Sequence, residues 1–130
     1  MSLKQAGTPF TGYVSLTSVV PSTLIPIYLA TQGSASTVTL LSTDRLVLCT
    51  VQVSSNDTAL DLVQITDNFT ASPKILLSIY VTATLPAGMA SFVPGIVAGS
   101  FGTNFKATTA TITSGKTIEV NISGYIVRQN

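Results

Sequence analysis

Apolar and polar residues alternate along much of the chain with a period of two. Between residues 10 and 17, the even positions carry Phe, Gly, Val and Leu, and the odd positions carry Thr, Tyr and Ser. Residues 117–126 repeat this pattern, with Ile or Val at positions 118, 120, 122 and 126. Strict alternation is typical of strands with one buried face. Since no segment shows a convincing period of 3.6, the sequence predicts an all-β protein.

Turn-forming residues divide the chain into about eight or nine predicted strands. Clusters such as Gln32–Ser34 and Ser114–Lys116 separate the alternating runs. The predicted strands are 10–20, 24–30, 36–41, 45–54, 58–66, 75–83, 90–97, 105–113 and 117–127. Short strands at this spacing predict a single-domain antiparallel β-sandwich, and eight of them suit a jelly roll. We expect residues 1–9 to form an N-terminal arm and residues 10–130 to form the sandwich.

Two predicted strands are apolar on both faces. In 45–54, Leu46 and Leu48 lie opposite Val47, Cys49, Val51 and Val53, and in 75–83, Leu76 and Tyr80 lie opposite Ile75, Leu77, Ile79 and Val81. A strand that is apolar on both faces must be covered on both sides. The cover is either a loop or neighbouring sheet of the same chain, or another subunit. The pattern leaves these alternatives open.

Charge is scarce in this chain of 130 residues. Asp, Glu, Lys and Arg make up 8% of the sequence and hydrophobic residues 45%, whereas charged residues are about 25% of a typical globular protein. Because small monomers normally carry surface charge for solubility, this chain either covers itself with hydroxyl groups or buries apolar surface against copies of itself or a partner, and the composition favours the second. The basic residues are scattered singly, at positions 4, 45, 74, 106, 116 and 128. Nucleic-acid binding requires clustered basic residues, so we expect none.

Residues 75–105 contain no charged side chain, but the pattern does not favour a membrane span. Pro86, Gly88, Pro94 and Gly95 interrupt the apolar stretch, and a spanning helix needs about 20 uninterrupted apolar residues. Two strands and an apolar loop fit better. We therefore expect no membrane association.

The residues needed for ordinary catalysis are missing from the chain. The sequence has no His, which excludes triads of the Ser-His-Asp and Cys-His kinds. Of the five carboxylates, Asp57 and Asp67 lie at opposite ends of one predicted strand, about 30 Å apart at about 3.3 Å per residue. With a single Cys, Cys49, there is no Cys-based zinc site, and this residue is predicted to lie in the core. The sequence predicts no catalytic residues and no cofactor, and hence a protein that is not an enzyme.

Two oxygen-rich loop pairs, Asn56–Asp57 and Asp67–Asn68, are compatible with calcium. Neither resembles an EF-hand loop, and Asn and Asp are equally expected as turn formers. The sequence favours the turn interpretation and no metal. A calcium-stabilised adhesive domain remains a third hypothesis.

Candidate contact residues lie in two places. The segment Ala90–Phe105 is too apolar for an exposed loop and too rich in Gly for a continuous strand, so it either tucks under the sandwich or docks on another subunit. Tyr13 and Tyr125 face outward in the alternating pattern and are the candidates for stacking on a glycan. The candidate interface comprises Phe92, Val93, Ile96, Phe101, Phe105, Tyr13 and Tyr125.

Three stretches together resemble a known type of protein. They are the run Arg45–Ser54 followed by Leu62–Asp67, the apolar stretch Leu85–Phe101 with its Pro and Gly residues, and the closing run Thr117–Ile126. Over residues 36–127 the pattern is similar to that of small bacteriophage virion proteins with a jelly-roll-like β-sandwich, which serve in capsid decoration or as fibre and spike modules.

The resemblance implies an oligomer, often a trimer, that attaches to a capsid or tail protein and has no catalytic activity. It supplies no active-site residues. Without a basic arm, a surface accessory is expected rather than a shell subunit. The resulting hypothesis is a viral structural protein, assembled in the host cytoplasm and located in the virion. The alternative is a carbohydrate- or receptor-binding module, such as a fibre tip or an adhesin.

Overall fold

The computed structural model describes residues 7–31, 34–67, 74–83, 87–97, 102–110 and 112–128, with the side chains of 30–31, 34–36, 87–97 and 128 left out. Within this part, the chain forms ten strands and no helix, which confirms the predicted all-β class. The strands are β1 (Thr8–Thr17), β2 (Ser22–Leu24), β3 (Ile27–Thr31), β4 (Ser34–Thr37), β5 (Asp44–Ser55), β6 (Asp61–Asp67), β7 (Ile75–Val81), β8 (Ala87–Val97), β9 (Phe105–Thr109) and β10 (Thr117–Arg128).

The strands form two antiparallel sheets that pack face to face. One sheet has six strands in the order β4-β3-β1-β10-β5-β8, and the other has four in the order β2-β9-β6-β7. Eight strands pair as nested partners, β1 with β10, β2 with β9, β5 with β8 and β6 with β7. This nesting is jelly-roll topology, two Greek keys folded into a double sheet. The hairpin β3–β4 extends the larger sheet beyond β1.

The predicted strand 24–30 is two strands in two different sheets. Pro26 has no N–H to offer a sheet ladder, and the chain crosses from one sheet to the other at Ile25 and Pro26. Ile25 is fully buried, and its N–H donates to the carbonyl of Phe105 over 3.0 Å. The predicted number of about eight strands therefore agrees with the eight nested strands of the sandwich. The prediction missed the division of residues 24–30 between β2 and β3.

A β-bulge in β5 divides the faces of residues 45–54 at Cys49, and Val47, opposite Leu46 and Leu48, is 4% exposed, so this part of the strand is covered on both sides as predicted. The register against β10 slips at Cys49, since Thr50 pairs with Ser123 and Leu48 pairs with Gly124. An extra residue in one strand reverses which side the following residues face. Leu46 and Leu48 therefore join the core, where both are fully buried. Cys49 is half-buried at the bulge, so its predicted place in the core is wrong.

A second slip, between β6 and β7, changes the face of the first residues of β7. Ile75 pairs with Thr66 on the outer side and is 59% exposed, so it does not share a face with Leu77, Ile79 and Val81 as predicted. Leu76 and Leu77 both pack against the core. Leu76 and Leu77 are therefore covered by side chains of the same chain, which is one of the two alternatives that the sequence left open.

The core lies between the sheets and is built from Val, Ile, Leu and two Phe side chains. Phe10 and Phe105 are 2% and 0% exposed, with their ring centroids 6.5 Å apart. Gly124 lies against the bulge, where a Cβ atom would overlap the carbonyl oxygen of Val47. Glycine at this position allows the backbone of β5 to approach closely.

The single β-sandwich domain matches the predicted organisation. Its first strand begins at Thr8, two residues before the predicted boundary at residue 10. Residues 1–6 of the predicted arm lie outside the described part of the chain.

Candidate functional surfaces

Four loops meet at one end of the sandwich, which we call the four-loop end. They connect β1 to β2 (18–21), β5 to β6 (56–60), β7 to β8 (82–86) and β9 to β10 (110–116). In a jelly roll these connections all lie at the same end, because nested strand pairs run in alternating directions. The described residues of these loops hold both a pair of buried acids and a set of exposed apolar side chains.

Asp57 ties three of the four loops together. Its carboxylate accepts the N–H of Ala59 over 3.1 Å and the N–H of Thr113 over 2.9 Å. Its carbonyl oxygen accepts the N–H of Ala83 over 2.7 Å. The N–H of Thr113, more than any other group, lowers the pKa of Asp57 to about 2, because hydrogen bonds to the ionised form favour it. Asp57 is therefore an ionised turn former, as the sequence predicted.

Asp61 begins β6 next to Asp57 and is 1% exposed. No N–H or O–H group of the described residues donates to either of its carboxylate oxygens, and the Asp57 carboxyl group lies within hydrogen-bonding reach of it. Burial, together with the neighbouring Asp57 carboxylate, raises the pKa of Asp61 to about 6. Two ionised carboxylates offer each other no hydrogen, so a proton or a cation must lie between them for both to be satisfied. Sequence analysis missed this pair, because Asp61 has the appearance of an ordinary polar residue at the start of a strand.

Exposed apolar side chains surround the acids at the four-loop end. Val19, Val20 and Leu60, which we call the apolar rim, are 87%, 45% and 59% exposed. Below the rim lies a cavity of about 360 Å³, lined by Asp61, Thr113 and mainly small or apolar neighbours (Ser18, Pro21, Ala59, Ala110 and Ile112). Large apolar residues at loop tips are unusual on a monomer when they are grouped. The sequence signal for this rim was the Val19-Val20 pair just beyond a strand, which sequence analysis assigned to the strand itself.

The outer face of the six-stranded sheet is polar and rich in hydroxyl groups. Thr50 and Ser123 are hydrogen-bonded across β5 and β10. Tyr13 is 43% exposed on this face, and its hydroxyl lies 2.9 Å from that of Ser15. Tyr125 is half-buried on the same face, opposite Pro9 in β1.

Tyr13 and Tyr125 do not form one stacking platform. Tyr13 pairs with Asn121, four residues before Tyr125 in β10, so the two rows are about 13 Å apart at about 3.3 Å per residue. The two predicted aromatic contacts therefore share a face and lie too far apart to hold one sugar ring between them.

The outer face of the four-stranded sheet carries three separate exposed apolar side chains. Leu24, Ile75 and Tyr80 are 46%, 59% and 64% exposed. Across the sheet, Leu24 pairs with Lys106, Lys106 pairs with Thr66, and Thr66 pairs with Ile75. The two polar residues therefore lie between the two apolar ones. Since polar residues separate them, these side chains form no continuous apolar patch comparable to the rim.

The predicted interface segment 90–105 is only partly described. The backbone of β8 includes Phe92, Val93 and Ile96, whose side chains are outside the description, and Phe101 lies outside it altogether. Residues 92–95 leave the ladder, since Ser91 pairs with Thr50 and Ile96 pairs with Leu48. Phe105 is fully buried against Phe10. This corrects its prediction as a contact residue, because its inward position on β9 makes it part of the core.

The described part of the chain has no helix with the length and hydropathy that a membrane span requires.

Among known proteins, no family model and no curated protein match the chain. Among solved structures, a chain of the capsid asymmetric unit of cyanophage Pam1 is similar, with 14% identity and a TM-score of 0.48. The match covers 96% of this chain and 88% of that one. A similarity at this level carries no argument about function, which has to be argued from the surfaces.

Proposed function

We propose that the chain is a non-enzymatic structural protein of a virus particle, which self-associates and docks on the virion through its four-loop end. The observation that carries the proposal is the apolar rim. Val19, Val20 and Leu60 are exposed together, above a cavity with further apolar lining. Burying such side chains against a partner gains about 25 cal/mol for each Å² of apolar surface removed from water.

The polar remainder of the surface supports the same proposal. On the described outer face of β1, β5 and β10, hydroxyl and amide side chains predominate around the exposed Glu119, and only 8% of all residues are charged. A surface with few charges is suited to close packing with copies of itself, since few ions have to be desolvated. Protein interfaces are likewise poor in charged residues at their centre.

Within this class we propose a capsid decoration or fibre component that forms a homotrimer and contacts a capsid or tail protein. The sequence resemblance to small bacteriophage virion proteins supports this finer role, and so does the jelly-roll topology, which occurs in viral capsid domains. Fold alone does not establish function, so the apolar rim remains the main argument.

Sedimentation equilibrium of matched variants tests the role of the rim. Leu60 and Ile75 are both 59% exposed, but only Leu60 lies at the four-loop end. We expect the wild type to associate, Leu60→Ser combined with Val19→Ser to sediment as a monomer with an unchanged Tm, and Ile75→Ser to associate like the wild type. A monomeric wild type at high concentration would overturn the proposal, as would loss of association in Ile75→Ser alone.

The virion location is tested separately. Mass spectrometry of purified particles of the virus that encodes this chain should find it at a fixed copy number relative to the major shell protein. The glycan-binding alternative predicts instead that a glycan array gives a signal that Tyr13→Ser removes. Such a signal from a chain absent from particles would replace the proposal.

A further inference from the structure

The oxygen atoms around Asp61 lack the partners that buried polar atoms ordinarily have. Both carboxylate oxygens of Asp61 and the hydroxyl of Thr109 are buried without a hydrogen bond. Thr109 pairs with Val63, two residues after Asp61, so the two side chains lie diagonally on the inward face of neighbouring strands. About nine in ten buried polar groups in proteins are paired with protein or ordered water. These three oxygens therefore indicate a ligand.

A shared proton or a hard cation would satisfy the Asp61 oxygens. Both oxygens belong to a carboxylate that lies beside the carboxylate of Asp57. Asp57 itself is held by the N–H groups of Ala59 and Thr113 and cannot turn away from its neighbour without losing them. A divalent cation with oxygen preference relieves the repulsion between the acids and satisfies the oxygens of Asp61.

The cavity gives such an ion both space and access. Asp61 lines the cavity of about 360 Å³ that opens below the apolar rim. Since one water takes about 30 Å³ of liquid volume, the cavity holds an ion together with several waters. Ca²⁺ accepts six to eight oxygens in flexible geometry, whereas Mg²⁺ demands a near-ideal octahedron. Mg²⁺ also keeps several waters beside one or two carboxylates, so the water does not separate the two ions, and Ca²⁺ is favoured here for the irregular geometry that it accepts.

We propose that the four-loop end binds one calcium ion, with Asp61 as its main carboxylate ligand and Asp57 beside it. Among the described residues, no three His, Cys, Asp or Glu side chains lie close enough together to hold a metal ion by themselves. Water must therefore complete the coordination. Calcium sites with few charged ligands bind in the range of about 10⁻⁴ to 10⁻³ M. The ion links the loop after β5 to the start of β6, and through Asp57 to the loop before β10.

Thermal unfolding with increasing CaCl₂ tests the proposal, at near-neutral pH and against NaCl of equal ionic strength. At free calcium of ten times Kd, the unfolding equilibrium constant falls about 11-fold, and we expect a matching rise in Tm. Asp61→Asn keeps the shape of the side chain and removes its charge, so its Tm should not respond. Asp67→Asn removes another buried acid, at the opposite end of the same strand, and should respond like the wild type.

Isothermal titration calorimetry gives the second measurement, with one calcium ion bound per wild-type chain and none bound per Asp61→Asn chain. The absence of any calcium effect up to about 10 mM, well above the expected Kd, would overturn the proposal and leave a shared proton as the partner of the two acids. An equal response in Asp61→Asn would also overturn it, because the ion would then bind elsewhere.

Discussion

At the end of the sandwich opposite the four-loop end, Asp44 and Asp67 each organise a turn alone, whereas Asp57 and Asp61 share one corner of the four-loop end. All four are at most 1% exposed. The carboxylate of Asp44 accepts the N–H of Leu41 over 2.9 Å, and that of Asp67 accepts the N–H of Lys74 over 3.2 Å. A buried acid is thus matched with a backbone donor in three of the four cases.

The difference between the ends lies in the second acid. Asp61 adds a carboxylate without adding a donor, and a buried carboxylate without a partner is costly. Turn formation explains Asp44, Asp57 and Asp67, but it does not explain Asp61. The local cost is therefore larger at the four-loop end, where both carboxylate oxygens of Asp61 lack a hydrogen bond, than at the opposite end, where one oxygen of Asp67 does; such costs are typical of sites kept for binding rather than for stability.

The largest effect is expected from Asp57→Ala. The change leaves the partly buried N–H groups of Ala59 and Thr113 without their acceptor and unties two loops, and lost hydrogen bonds to a charged group are destabilising. We expect Tm, followed by circular dichroism, to fall by about 10 °C. Thr58→Ala, at the exposed neighbouring position, should leave Tm within about 1 °C. An equal Tm for the two variants would contradict the role of Asp57 as the tie between loops.

A smaller loss is expected from Asp44→Ala at the opposite end. One N–H group, that of Leu41, loses its carboxylate acceptor, and the free energy of unfolding should fall by about 1–3 kcal/mol. Urea denaturation measures this difference. If Asp44→Ala were more damaging than Asp57→Ala, the proposed ranking of the two ends would be wrong.

Asp61→Asn should act in the opposite direction and stabilise the calcium-free protein. The amide removes the repulsion with Asp57 and supplies N–H donors that the carboxylate lacks. In the presence of a chelator we expect Tm to rise by about 3 °C. A fall in Tm would show that the Asp61 carboxylate has a stabilising partner after all.

The smallest effect is a change in the pH dependence of stability in chelator. The pKa of Asp61 is raised from 3.8 to about 6, so the folded state holds its proton longer than the unfolded state, and stability falls as pH rises from about 4 to 6. The lowered pKa of Asp57 has the opposite sign, and stability falls as pH drops from 3.8 towards 2. Asp61→Asn should remove most of the fall in stability between about pH 4 and 6. If the variant showed the same fall as the wild type, the titration of another group would be its cause.

The strands with strict alternation were predictable from the sequence. The first and last strands were predicted as 10–20 and 117–127 and found as Thr8–Thr17 and Thr117–Arg128. Their pattern follows directly from a two-residue period against one buried face. The all-β class and the single sandwich followed from the same signal.

The bulges and the paired acids could not be predicted. The slip at Cys49 moves Leu46 and Leu48 to the core face, and a two-residue period cannot anticipate where an extra residue enters a ladder. Asp61 meets Asp57 because both are buried at one corner, on either side of an exposed loop segment. Phe105 was misassigned to a surface because its neighbours in sequence, rather than its position on β9, guided the prediction.

Hydrogen–deuterium exchange at increasing protein concentration tests most directly whether the four-loop end is the contact surface. We predict that the backbone amides of residues 18–21 and 56–60 become more protected as the concentration rises, while those of residues 38–43 at the opposite end do not change. Protection that grew only at residues 38–43, or at neither end, would contradict this account of the molecule.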